Sequence, residues 1–254
     1  MKCLNIVLPV LNEEVVLESS INKIERFLQN AKIPYILTIA DNGSTDSTKQ
    51  IAQKLCLKSS FVEYLKVSQI GVGLAFREAI LHNAKRAESA GSKDMFCEFI
   101  GYMDIDLSTD ITHLIEVYER LTRGESIVVG SRLLKDSQVN GRSLKRTFTS
   151  RVLNIIMHLV LGARFNDCMC GFKFYQAPIA QHLVENCYKD NGWFYCAQML
   201  MVAQYSNITI TQIPIKWEDD SNSKVKIMRL SCEYLKQISR LFIYRIRGKL
   251  VCKS

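Results

Sequence analysis

The feature that most constrains the fold is a repeated switch of hydrophobic period at the start of the chain. "LNIVLPV" is short, apolar and rich in β-branched residues, and it gives way to "EEVVLESSINKIERFLQ", whose apolar residues recur at intervals of three and four. "YILTIA" (35–40) then reads as a second buried strand, and "DNGSTDSTKQIAQKL" opens a second helix. This βαβα order predicts an α/β fold, a Rossmann-like, mostly parallel sheet with helices on both faces. Ligands of such sheets sit at the carboxyl ends of the strands.

Function is therefore sought in the loops after strands. Three of them are polar: "NEE" (12–14), "DNGSTDST" (41–48) and "DIDLSTD" (104–110). "IVVGSR" (127–132) reads as a fourth strand ending in a basic residue, and "ITITQIPIKWEDD" (208–220) as a late strand. No internal repeat or low-complexity linker divides the chain. One domain over residues 1–230 is expected, followed by a basic amphipathic tail over 231–254.

Composition narrows the partners. The 254 residues are 48% hydrophobic and 23% charged, which excludes a disordered chain, and the net charge of +8 calls for an anionic partner. The basic segment with Arg132, Lys135, Arg142, Lys145, Arg146 and Arg151 has few stacking aromatics and no nucleic-acid motif, so no nucleic-acid partner is expected. Phe148 and the apolar run at 152–163 put an apolar surface beside the arginines, which suits a phosphate-bearing ligand at a membrane. That run is short of the roughly 20 residues a spanning helix needs, and the N-terminus lacks the long apolar region of a signal peptide. The expectation is a cytoplasmic protein peripherally associated with the cytosolic face of a membrane. Nine cysteines, an odd number without a repeating CxxC, fit a reducing compartment better than a disulfide framework.

The chemistry is carried by clusters. Asp41, Asn42, Ser44, Thr45 and Asp46 crowd one strand-to-helix junction. Capping by Ser44 or Thr45 accounts for one such residue, and the surplus points to ligand contacts. Asp104 and Asp106 stand one residue apart after an apolar run, where both carboxylates can converge on one cation. Mg²⁺ is held by one or two carboxylates, with water and substrate phosphate filling its other positions. Gly71 and Gly73 precede a helix in "QIGVGLAFREAI", where glycine lets backbone approach a ligand closely.

The order "IVLPVLNEE", "DNGSTD", "GVGLAF", "DID", "GSR", "RTFTSR", "CGFK" and "PIKWEDDSNSK" resembles glycosyltransferase family 2, in particular its polyprenyl-phosphate sugar transferases. The resemblance runs from about residue 5 to about residue 244. It implies a GT-A type nucleotide-diphospho-sugar transferase fold and inverting transfer of a hexose from a nucleotide sugar, UDP-glucose favoured, to a dolichyl or undecaprenyl phosphate. Pro9, Leu11, Glu13 and Asp41 fall where the family holds the nucleotide. Gly71 and Gly73 are assigned to the donor as well. Asp104 and Asp106, with Ser108 two residues on, fall where it holds Mg²⁺ or Mn²⁺. Arg132, Arg146 and Ser150 match its acceptor-phosphate grip. A small integral membrane subunit is a further partner the tail could dock.

Two departures accompany the resemblance. Cys196 and Gln198 in "GWFYCAQML" stand where the family often has acids, and Asn42 replaces a common second aspartate. A phosphate acceptor needs no general base, because its second pKa near 6 leaves it mostly dianionic at pH 7. Two alternatives remain: transfer to a hydroxyl of a glycan, and a non-catalytic nucleotide-sugar-binding homologue.

Overall fold

The computed structural model describes residues 2–88, 96–141, 143–218 and 227–247, with the side chains of 144–146 and 227–231 outside that description. The first half alternates as the sequence predicts: β1 (Leu4–Val10), α1 (Leu17–Asn30), β2 (Tyr35–Asp41), α2 (Thr48–Lys58), β3 (Val62–Lys66), α3 (Val72–Glu88), β4 (Phe99–Met103) and α4 (His113–Thr122). The second half continues with β5 (Ile127–Ser131), β6 (Gln138–Asn140), α5 (Leu144–Leu161), β7 (Phe172–Gln176), α6 (Ala177–Asn186), α7 (Phe194–Tyr205), β8 (Ile210–Pro214), β9 (Lys216–Glu218) and α8 (Ile227–Ile246).

Seven strands form one sheet in the order β3-β2-β1-β4-β7-β5-β8. All neighbours run parallel except β7, which is antiparallel to both β4 and β5. Alternate side chains of β1 enter opposite cores. Val7 joins the layer of α3, α5, α6, α7 and α8, whereas Leu4, Ile6, Leu8 and Val10 pack against α1, α2 and α4. A sheet covered on both faces requires apolar residues on both, which is why these strands read as continuous apolar runs. α1 buries Leu17, Ile21, Ile24 and Leu28, the single stripe its spacing predicts.

Four expectations are altered. "IVVGSR" is the fifth strand in chain order, not the fourth. The late strand is divided at Pro214, its second part β9 leaving the main sheet to pair with β6; a proline has no N–H for a ladder. The boundary drawn between residues 230 and 231 falls inside α8, whose Tyr234, Ile238 and Leu241 are buried in the core. Finally, Cys3 and Cys97 form a disulfide, while the other described cysteines form none. Pairing of β1 with β4 sets the residue before Leu4 near the residues before Phe99, leaving their Cα atoms 4.4 Å apart.

Candidate active site

The loops after β1 and β2 are stitched together. Asp41 ends β2 almost fully buried, and its Oδ1 accepts from the N–H groups of Gly43 (3.1 Å) and Ser44 (2.8 Å), while Oδ2 accepts from the Tyr64 hydroxyl at 2.8 Å. The Asn12 N–H donates to Ser44 Oγ at 3.0 Å, Asn12 Oδ1 accepts from the Thr45 N–H at 2.8 Å, and the Glu13 N–H donates to Thr48 Oγ1 at 2.8 Å. Ser44 and Thr45 thus tie the two loops together rather than cap α2. The N–H groups at the start of α2 are met by Asp46, which accepts from Thr48 N at 3.0 Å, and by Glu14, which accepts from Ser47 N at 2.9 Å. Pro9 at the end of β1 is half-buried and Leu11 is exposed, both beside this cradle.

Gly71 and Gly73 pack closely on the segment before α7. A Cβ on Gly71 would lie 2.0 Å from the Asn191 carbonyl oxygen, and one on Gly73 would lie 2.4 Å from that of Gly192. This close approach requires glycine independently of any ligand. The Gly71 N–H also donates to Asn42 Oδ1 at 3.3 Å, joining this loop to the residue after Asp41.

The acidic pair sits at the centre of the sheet. Asp104 follows β4 and is half-buried, while Asp106 is exposed and accepts from the Ser108 N–H at 2.9 Å. Burial, and after it the Asp106 charge, push the Asp104 carboxyl up to about 7 against the lowering influence of Arg132 and Lys173. Two carboxylates that resist sharing negative charge suit a divalent cation. Among the described residues no cluster of three His, Cys, Asp or Glu side chains could hold a metal, so only carboxylates of this pair are in place and the other ligands would be hydroxyl, water or substrate oxygens. That donor set fits Mg²⁺ or Mn²⁺. Ser108, nearly buried, is joined to the pair through its backbone, and its carbonyl accepts from Glu218 N at 2.8 Å.

Three residues outside the expected set complete the centre. Gly171 lies against Asp104, so that a Cβ there would sit 2.2 Å from the aspartate Oδ2. Asp167 is fully buried and grips Arg132 bidentately, Oδ2 to Nε at 2.7 Å and Oδ1 to Nη2 at 2.9 Å. Although burial opposes its ionisation, the Arg132 guanidinium holds its carboxyl down at about 2. The fork leaves three of the five guanidinium N–H donors for other partners. Lys173, fully buried on β7, donates to the Cys170 carbonyl and to the Tyr102 hydroxyl. The signal for these residues is charge within an apolar neighbourhood, "FNDCMCGFKFY".

On the far side, Ser150 of α5 is buried and its hydroxyl has no hydrogen-bond partner among the described residues. Arg146 precedes it by one helical turn on the same face, and its side chain lies outside the described residues. Cys196 and Gln198 are buried in α7; burial pushes the thiol up to about 11, and the amide of Gln198 lies against the Tyr188 backbone. Neither side chain takes up a proton at neutral pH.

The sequence profile described as "Glycosyl transferase family 2" matches residues 5–184. The chain belongs to glycosyl transferase family 2. It is 30% identical over 231 residues to glycosyltransferase AglD of Haloferax volcanii, covering 89% of this chain and 34% of that relative. It is also 27% identical over 261 residues to a dolichyl-phosphate beta-glucosyltransferase of Dictyostelium discoideum, covering 99% of this chain and 77% of the relative. The corresponding Saccharomyces cerevisiae protein is 26% identical, with 83% and 64% covered. The chain thus spans about a third of the archaeal relative and under two thirds of the yeast one. Among solved structures, mannosyl-3-phosphoglycerate synthase from Rubrobacter xylanophilus superposes with a TM-score of 0.66 at 15% identity, covering 100% of this chain and 77% of that one. Glucosyl-3-phosphoglycerate synthase from Mycobacterium tuberculosis, solved with Mn²⁺, UDP-glucose and phosphoglyceric acid, gives 0.61 at 17% identity, with 98% and 80% covered. The fold of this family 2 member is of GT-A type.

Proposed function

We propose that this chain transfers a hexose, with inversion, from a nucleotide sugar to a polyprenyl phosphate at a membrane surface, with Mg²⁺ or Mn²⁺ on Asp104 and Asp106. UDP-glucose is the favoured donor, and dolichyl or undecaprenyl phosphate the acceptor. The observation that carries this reading is the juxtaposition of half-buried Asp104, whose carboxyl is held above its ordinary range beside the exposed Asp106, with the buried Arg132 guanidinium. One centre can then take a divalent ion and a phosphate side by side. The names of the eukaryotic relatives supply the acceptor class.

The nucleotide would rest in the cradle of Pro9, Leu11, Glu13 and Asp41, whose internal hydrogen bonds hold its shape before any ligand arrives. Gly71 and Gly73 would bring backbone up to the same donor. A divalent cation at Asp104 and Asp106, with Ser108 beside them, supplies positive charge for the departing diphosphate. Arg132, Arg146 and Ser150 orient the incoming phosphate, whose oxygen attacks the anomeric carbon as the bond to the diphosphate breaks. That oxygen is already ionised, so the buried thiol of Cys196 and amide of Gln198 cost the reaction nothing.

The membrane surface would be met by α5 and α8. Phe148, Ile155 and Leu159 are exposed along one stripe of α5 with Arg151 nearby, and Phe242, Ile243 and Ile246 are exposed on α8. Apolar residues flanked by arginines suit an interfacial helix, and no helix of the described residues is long and apolar enough to cross a membrane. The work would be done at the cytosolic face of a membrane, with a small integral subunit as a further partner of the C-terminal segment.

The test is nucleotide-sugar consumption with and without polyprenyl phosphate. Lipid-dependent turnover should fall about a thousandfold in Asp104→Ala and in Asp106→Ala. Arg146→Ala should lose the lipid dependence while still binding nucleotide. Turnover onto a soluble glycan alone, or nucleotide binding without product under any acceptor, would overturn the proposal.

A further inference from the structure

Away from the carboxylate pair, a cavity of about 590 Å³ opens between the first turns of α3, the 188–191 loop and α8. Its lining carries three cations from three elements, Arg77, Lys189 and Arg240, against two acids, Glu78 and Asp190. Arg77 is more than nine-tenths buried, yet its guanidinium donates only to neutral acceptors, the Asp190 carbonyl at 3.4 Å and Asn191 Oδ1 at 3.3 Å. Both bonds are long for charge-assisted ones. Arg240 lies 4.3 Å above the Tyr188 ring. Among the described residues no carboxylate is within ion-pair distance of Arg77 or Arg240.

A buried guanidinium with no carboxylate in direct contact leaves room for an anionic ligand to pair with it. The cavity also holds Asp190, which is more than nine-tenths buried. Its Oδ1 accepts from the Gly192 N–H at 2.6 Å, while Oδ2 has no hydrogen-bond partner among the described residues. Burial raises the pKa of this carboxyl, against the lowering influence of the Gly192 N–H and of Arg240 and Arg77. Two planar forks and one flexible ammonium make a set of donors on different walls. A tetrahedral phosphate dianion can meet them, whereas a single planar carboxylate has too few oxygens.

We propose that this cavity binds a phosphate group, held by Arg77, Lys189 and Arg240. The volume exceeds that of a bare phosphate and leaves room for the glycerol or sugar it is attached to. The group is carried either by a soluble phosphate ester or by a lipid headgroup. This site is separate from the acceptor grip at Arg132 and Arg146, and it does not depend on the transfer reaction.

Calorimetry on the full chain, without metal or nucleotide, would titrate inorganic phosphate and glycerol 3-phosphate. Vesicles of phosphatidylcholine with and without phosphatidate form the lipid arm. Saturable phosphate binding is expected, weakened about tenfold in Arg240→Gln and in Arg77→Gln, and kept in Arg146→Gln. Arg240 is exposed on a helix surface, so Arg240→Gln should keep its melting temperature and remain informative where Arg77→Gln fails to fold. Phosphatidate-dependent vesicle retention lost in Arg240→Gln supports the site with a lipid source. Loss of glycerol 3-phosphate affinity with vesicle retention unchanged supports it with a soluble one. Phosphate affinity unchanged in Arg240→Gln, or abolished by Arg146→Gln instead, overturns the proposal.

Discussion

The two halves of the sheet handle polar groups in opposite ways. On the β1–β2 side, Asp41 has three hydrogen-bond donors and the two loops are sewn together by Asn12, Ser44, Thr45 and Thr48. On the β4–β7–β5 side, charges are buried close to one another, Asp104 is held far above its ordinary range, and Ser150 has a buried hydroxyl without a partner among the described residues. The loops after β1 and β2 hold their shape without a ligand. On the other side, the proposed ion and substrate phosphate would supply the counter-charge and hydrogen-bond partners that the protein itself leaves out.

Substitutions can break this contrast. After the acidic pair, the largest effect is expected at Asp167. Asp167→Ala leaves the Arg132 guanidinium buried and unpaired, and should cost about 3–5 kcal/mol of folding stability in urea denaturation. The equivalent deletion on the other side, Tyr64→Phe, removes one neutral donor from Asp41 and should cost about 1 kcal/mol. Comparable losses at both positions would erase the distinction.

Gly171→Ala tests the centre more finely. The new methyl group would collide with the Asp104 carboxylate, so turnover and Mn²⁺ affinity should fall about tenfold to a hundredfold, with a smaller change in melting temperature. Restoration of activity by higher Mn²⁺ would locate the damage in ion binding.

The pH dependence follows from Asp104. Its folded-state pKa, about 7, lies above the unfolded value near 3.8, so between those values the folded state binds more protons. Without metal this group's contribution therefore favours folding at low pH and is progressively lost as pH rises through about 7. Mn²⁺ must displace that proton, so its stabilisation of the melting temperature should be larger at pH 8 than at pH 6. Asp106→Asn removes the neighbouring charge and should shift that window to lower pH. A metal-induced shift that is flat across the range would show that Asp104 is not a ligand.

The same contrast explains what was legible in the sequence. The βαβα half declares itself because each strand and each helix carries its own period, and the polar clusters at 12–14, 41–48 and 104–110 stand at strand ends where parallel sheets put their ligands. Asp104 and Asp106 were accessible for that reason. β7 was not, because an antiparallel strand inserted between two others is decided by its neighbours rather than by its own five residues. With β7 went Asp167, Gly171 and Lys173, whose roles arise from contacts with Arg132, Asp104 and Tyr102. The helix-cap expectation at Ser44 and Thr45 failed on similar grounds, since Asn12 lies far off in sequence yet competes for both.

The insertion of β7 also bears on how the protein comes to be folded. As the chain is synthesised, β4 can pair with β1 at once, but its other edge stays open until α4, β5, β6 and α5 have been made and β7 arrives. An unpaired, fully apolar strand in the middle of the sheet is an invitation to another chain. The segment that completes the carboxylate centre is thus also the one that closes the exposed edge of β4, so building that centre ends the exposure of this edge.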